Sequence, residues 1–213
     1  MAEFDARSGS LTLKLVYYGP ALAGKTTNLT RLHDLLNPAA QGDLMVLDTQ
    51  GDRTLYFDLL PLGFRAPSGL LIRFKLFTVP GQVCHDGTRK AVLSRADGVI
   101  FVADSQRNQA VNNGASFDNL VANAGIVGLD LATLPLVVQF NKRDLSDILS
   151  EAEIQQRWGA APWPVVMASA LEGRGVRETF NSLLRQLYPV LDAEYRLQSE
   201  HGLDAQRFVE AVQ

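Results

Sequence analysis

Cysteine occurs once in these 213 residues, at Cys84, so no internal disulfide can form and a reducing compartment is expected. No apolar run reaches the roughly 18 residues that mark a membrane-spanning helix. Neither sign of charge dominates: 20 Lys and Arg face 23 Asp and Glu, a formal net charge of −3. That balance gives no electrostatic reason to expect nucleic acid. Met1 to Ser10 is polar and lacks the apolar stretch of a secretory leader. Ala2 stands where N-myristoylation needs glycine, and Glu210-Ala211-Val212-Gln213 is no prenylation box. The expectation is a cytoplasmic chain with no lipid anchor and no transmembrane segment.

What is present is an ordinary globular composition, 46% hydrophobic and 20% charged, long enough for one well-filled domain. Short apolar runs alternate with longer mixed segments. Leu11 to Tyr17 reads as a strand, with Leu11, Leu13 and Leu15 alternating against Thr12 and Lys14. Residues 25–36 read as a helix bearing Leu29, Leu32, Leu35 and Leu36. Thr54 to Leu60 and Leu70 to Thr78 read as strands joined by a Pro- and Gly-rich turn. Arg73 and Lys75 suit the second of these to a sheet edge. Gly98 to Ala103, Leu136 to Phe140 and Pro164 to Ala168 suit strands buried on both faces. Helical patterns lie near 87–95, 108–124, 150–158 and 175–188, and Pro189 should end or kink the last. The alternation predicts an α/β fold, a mostly parallel central sheet with helices on both faces. The expected organisation is a polar segment over 1–10, one domain over 11–188 and a helical extension over 189–213. In that extension Gly202 breaks the chain and Asp204 caps a short helix with Phe208, Val209 and Val212.

The strongest local signal is Gly19-Pro20-Ala21-Leu22-Ala23-Gly24-Lys25-Thr26, a G-x-x-x-x-G-K-[ST] string between a predicted strand and a predicted helix. A chain of this length matches by accident roughly once in a hundred. Polyphosphate needs fixed donors, and a loop at a helix N-terminus offers backbone N–H groups and the positive end of the helix dipole. Gly19 and Gly24 allow the tight path, and Lys25 adds a charge for the β- and γ-phosphates. The Thr26 hydroxyl suits Mg²⁺, and Thr27 adds a hydroxyl for the α-phosphate.

The base is read elsewhere. Asn141-Lys142-Arg143-Asp144 follows directly on an apolar strand, at the end where α/β sheets bind ligands. A fixed Asp144 carboxylate accepts from both N1–H and the 2-amino group of guanine. Adenine offers neither donor and would leave the carboxylate unpaired, which argues against an ATP-dependent kinase or ATPase. The stem of Lys142 can cover the ring and Asn141 can brace the phosphate loop. Ser169-Ala170-Leu171 can complete the pocket with N–H donors toward the guanine oxygen.

With these motifs in place the sequence resembles the Ras-like small GTPases, and within them the bacterial MglA-type polarity and gliding GTPases. The closer match is carried by Val16-Tyr17-Tyr18-Gly19-Pro20, Gly24-Lys25-Thr26-Thr27-Asn28-Leu29, Asp52-Arg53-Thr54-Leu55 with Phe57-Asp58, Thr78-Val79-Pro80-Gly81-Gln82-Val83, Val102-Ala103-Asp104-Ser105-Gln106 and Asn141-Lys142-Arg143-Asp144-Leu145. It covers roughly residues 11–188. The resemblance implies a P-loop NTPase fold of the Ras-like G-domain kind and a GDP/GTP switch with Mg²⁺. It makes Thr54 the switch threonine that senses Mg²⁺ and γ-phosphate. It makes Gly81 a γ-phosphate donor, Gln82 the residue orienting the attacking water and Arg53 an intrinsic arginine finger. It also implies a roadblock-fold activating protein resembling MglB, slow hydrolysis without it, a role in cell polarity or gliding motility, and recruitment to a cell pole.

Two positions depart from most Ras-like proteins. Ala21 replaces a glycine beside the γ-phosphate, and Thr78 replaces an aspartate that helps hold the metal. Both leave open the alternative of a GTP-binding interaction module that hydrolyses little. Cys84 and His85 have no third ligand nearby and read as partner-facing surface. Trp158 and Trp163 read as packing residues.

Overall fold

The computed structural model describes residues 2–47, 57–81 and 86–212. Its strands are β1 (Glu3–Asp5), β2 (Ser10–Tyr18), β3 (Met45–Leu47), β4 (Phe57–Arg65), β5 (Leu71–Thr78), β6 (Gly98–Asp104), β7 (Leu136–Asn141) and β8 (Val165–Met167). Its helices are α1 (Lys25–Leu35), α2 (Asp86–Leu93), α3 (Ala110–Ile126), α4 (Glu151–Trp158), α5 (Val176–Tyr195), α6 (Leu197–His201) and α7 (Ala205–Glu210). The strands form one mixed sheet in the order β3-β4-β5-β2-β6-β7-β8, with β1 paired to β2. From β5 to β8 the pairs are parallel; β1, β3 and β4 join antiparallel.

The two-residue period of β2 sorts the core. Leu11, Leu13, Leu15 and Tyr17 face a cluster built with Leu29 and Leu32 of α1 and Phe180, Leu183 and Leu187 of α5. Val16 and Tyr18 face the opposite cluster, with Leu93 of α2, Leu120 of α3 and Ile154 of α4. The central strands are therefore covered on both sides, as the apolar runs require. Trp158 and Trp163 pack on Phe117, with ring centroids 4.9 and 5.3 Å away.

Two expectations need correction. Strand β5 is not an edge: β4 pairs with it on one side and β2 on the other. Its Arg73 and Lys75 alternate because one face is exposed while Ile72, Phe74 and Leu76 are buried on the other. At Pro189, where the helix was expected to end or kink, the first alternative fails: α5 runs through it to Tyr195. A proline inside a helix costs about 3 kcal/mol. The turn it would interrupt buries Leu187, Tyr188 and Leu191, and each fully buried large apolar side chain contributes roughly 1.5–3 kcal/mol. The extension beyond packs on the domain: Leu197, Phe208, Val209 and Val212 join the first core cluster. Gly202 ends α6 in the left-handed region, and the Asp204 side chain caps α7 by accepting from the Arg207 N–H.

Candidate functional site

The carboxyl ends of β2, β5, β6, β7 and β8 lie along one side of the sheet, and every predicted motif that falls in the described residues follows one of them. Between β2 and α1 the loop turns sharply. Leu22 takes φ 62 and Gly24 φ 96. A left-handed leucine is uncommon, and here its side chain is 88% exposed. At Gly24 a Cβ would stand 2.3 Å from Asn141 Nδ2, so only glycine fits both the angle and the neighbour. A cleft of about 420 Å³ opens against this loop, lined on one side by Lys25, Thr26 and Thr27 and on the other by Asp58, Thr78 and Gly81.

Lys25 is only 7% exposed, and its ammonium donates to the carbonyls of Gly19 (3.1 Å) and Pro20 (2.7 Å). Burial, then the nearby Arg89 guanidinium, hold it down to about 7, against the opposing pull of Asp58. The unfolded value is the higher one, so this group destabilises the free protein most below pH 7. That cost fades as pH rises toward the ordinary lysine range. Phosphate placed beside the amine restores its charge. Nucleotide binding at about pH 8 should therefore take up close to one proton, falling toward none at about pH 6. Calorimetry in buffers of differing ionisation enthalpy measures this; a pH-independent proton count would show Lys25 charged throughout.

The Thr26 hydroxyl donates to Asp58 Oδ2 at 2.6 Å. The Thr78 hydroxyl donates to the same oxygen at 2.9 Å and accepts from the Asp58 N–H at 2.9 Å. Asp58, 7% exposed, lies on β4 directly across from Thr78 on β5. A carboxylate thus stands beside Thr26 although position 78 carries none. Sequence reasoning missed this role for Asp58; the threonine at 78 was the available clue, since it left a carboxylate to be found elsewhere. A hydroxyl and a carboxylate are oxygen donors of the kind Mg²⁺ takes, so the set fits that ion.

Gly81 closes the cleft against Ala21. A Cβ on Gly81 would stand 2.3 Å from the Ala21 Cα, so the two backbones approach as closely as glycine permits. Arg53, Thr54, Gln82, Cys84 and His85 lie outside the described residues.

At the other end of the site, Asn141 bridges the motifs. Its Nδ2 donates to the Ala23 carbonyl at 2.8 Å, and its Oδ1 accepts from the Ala170 N–H at 2.8 Å. The expected brace on the phosphate loop is therefore present. The Ala170 N–H, expected to face the base, holds Asn141 in this structure. Asp144 Oδ1 accepts from the Ser169 hydroxyl at 2.6 Å, and Leu171 beside it is exposed. Lys142 adopts φ 68 and its ammonium meets Asp104 Oδ2 at 2.7 Å. Asp104 also accepts from the Gln106 N–H. Asp104 is a second residue whose role was missed, since nothing local in the sequence pairs it with Lys142. A buried relay joins both halves of the site. Asn28 donates to the Gly24 carbonyl, Gln139 to Asn28 and Thr179, and Thr179 to the Gly175 carbonyl.

The loop from Gly19 to Thr26 and the loop from Asn141 to Asp144 thus stand side by side at the carboxyl ends of one sheet, joined through Asn141. The sequence profile of the ADP-ribosylation factor family matches residues 68–187. The Mutual gliding-motility protein MglA of Myxococcus xanthus is 40% identical over 185 residues, covering 87% of this chain and 95% of that protein. Elongation factor 4 of Aquifex aeolicus is 23% identical over 176 residues, but only 28% of its length is covered. The chain belongs to the Arf/Ras-like small GTPases, of the MglA type. It is accordingly a GTP-binding protein of a family of GTP hydrolases that work with Mg²⁺. Among the described residues no helix is long and apolar enough to cross a membrane.

Proposed function

We propose that this protein is a GDP/GTP switch in gliding motility, the process named in its Myxococcus relative, with an arginine finger carried in its own chain and a roadblock-fold activating partner that positions it. The observation carrying this reading is the Asn141 bridge, which ties the base loop to the phosphate loop so that one nucleotide spans both. Lys25 and the loop amides hold the β- and γ-phosphates, Asp144 reads guanine, and the Lys142 stem covers the ring. Thr26 and Thr54 would hold Mg²⁺, with Asp58 hydrogen-bonded to Thr26, and the ion would supply charge neutralisation on the phosphates. In hydrolysis, water oriented by Gln82 attacks the γ-phosphorus. The bond to the β–γ bridging oxygen breaks, and GDP and phosphate leave. Arg53 steadies the charge that spreads over those oxygens. Turnover is slow until the partner sets Arg53 in place, and the same partner class would bring a cytoplasmic switch to a cell pole.

Single-turnover hydrolysis with and without a roadblock-type protein tests this. The expected result is strong stimulation, lost by at least roughly 10³-fold in Arg53→Ala. An Arg53→Ala variant as fast as wild type removes the catalytic claim. The contact between Ala21 and Gly81 favours a second reading, a GTP-binding interaction module with little hydrolysis, in which the Ala21 methyl acts as the brake. Ala21→Gly, measured alongside, should speed hydrolysis if that reading holds; an unchanged rate discards it.

A further inference from the structure

Among the described residues Arg89 is the largest side chain that is fully buried, 1% exposed, and no motif accounts for it. It projects from α2 toward Pro80 and Gly81, which follow β5. Its Nε donates to the Pro80 carbonyl at 2.9 Å and one terminal nitrogen donates to the Gly81 carbonyl at 2.6 Å. The other donates to Asn119 Oδ1 on α3 at 2.7 Å, and the guanidinium lies 5.3 Å from the Tyr18 ring centre. Among the described residues no carboxylate makes an ion pair with it. Its charge is met by backbone carbonyls and a ring face, an arrangement that costs desolvation unless the fork geometry is satisfied. The far end is anchored in turn. Tyr18 donates to Asn119 Oδ1 at 2.5 Å, while Asn119 and Asn123 donate to Asp86 Oδ1.

The orientation of these carbonyls has a consequence. A trans peptide directs its C=O and its N–H to opposite sides. With the Pro80 carbonyl drawn inward to Arg89, the Gly81 N–H of the same peptide is turned the other way. Pro80 and Gly81 line the cleft that Lys25 and Ala21 line from the opposite wall. We infer that Arg89 is a positioning residue for the γ-phosphate: by clamping the Pro80 and Gly81 carbonyls to β2 and α3 it aims the Gly81 N–H into the cleft, and so sets the preference for GTP over GDP. This rests on the reading of Gly81 as a γ-phosphate donor.

The test compares Arg89→Met, Arg89→Lys and Asn119→Ala by competition of GTP and of GDP, each with Mg²⁺, against a fluorescent GDP. Arg89→Met should weaken GTP roughly tenfold or more relative to GDP, because only GTP carries the group that Gly81 meets. Arg89→Lys should recover part of the ratio, since an ammonium can reach one carbonyl but not both. Asn119→Ala keeps the buried cation and loosens its anchor, so it should shift the ratio the same way by less. It decides the matter should Arg89→Met fail to fold. Equal weakening of both nucleotides, or an unchanged ratio in Asn119→Ala and Arg89→Met, overturns the inference and leaves Arg89 a packing residue. A wild type that binds neither nucleotide would instead overturn the proposed function.

Discussion

Asp144→Asn should weaken GDP and GTP binding by roughly 10²- to 10⁴-fold, the sum of two charge-assisted hydrogen bonds at about 1.5–3 kcal/mol each. The Ser169 hydroxyl pins Asp144 Oδ1 at 2.6 Å, so the side chain meets the base already oriented. An amide in its place turns an NH₂ group toward the 2-amino group of guanine, donor against donor. Xanthine carries a carbonyl at that position, so the same variant should bind xanthosine diphosphate better than GDP. Competition of a labelled nucleotide by GDP, xanthosine diphosphate and ADP checks both halves. Unchanged GDP affinity would show that the base is read by something other than Asp144.

The second large effect concerns the carboxylate on β4. With Asp58 as its acceptor, the Thr26 proton is held by the carboxylate and the hydroxyl lone pairs are left to face a cation. Partners of this kind, behind a metal-holding group, are worth about 10- to 100-fold in metal affinity or activity. Asp58→Ala should therefore speed GDP release in Mg²⁺ by roughly that factor, while release in excess EDTA stays close to wild type. Adding Thr78→Asp to that variant returns a carboxylate from the neighbouring strand and should restore slow release. Acceleration of equal size in EDTA would assign Asp58 to folding, and no acceleration would leave Thr26 indifferent to it.

These two residues differ in how readily the sequence discloses them. Asp144 sits in a four-residue string at a strand end, and its chemistry is local. Asp58 acts through Thr26, 32 positions away, and through Thr78, 20 positions away. Nothing in the run Phe57-Asp58-Leu59 distinguishes it from a polar residue on a strand. The replacement at position 78 reads in sequence as a weakened metal site. In three dimensions Thr78 holds a carboxylate from the neighbouring strand beside Thr26. Asp104 follows the same logic, because its partner Lys142 lies just past the end of the next strand, β7. Arg89 follows it too: an arginine in a helix reads as surface until its fork is found on two carbonyls.

The sequence by itself determined the contiguous parts. The phosphate loop, the purine string, the alternation of strands with helices and the capped final helix all depend on neighbours a few residues apart, where backbone angles and side-chain periodicity act directly. The tertiary structure alone decided which strand lies inside the sheet, how far α5 runs through Pro189, and which distant carboxylates and guanidinium lie against the loops of the candidate site. Those outcomes depend on packing between segments far apart in the chain. Strand pairing and burial outweigh local preference there, and only the folded sheet brings β4, β5 and α1 around one cleft.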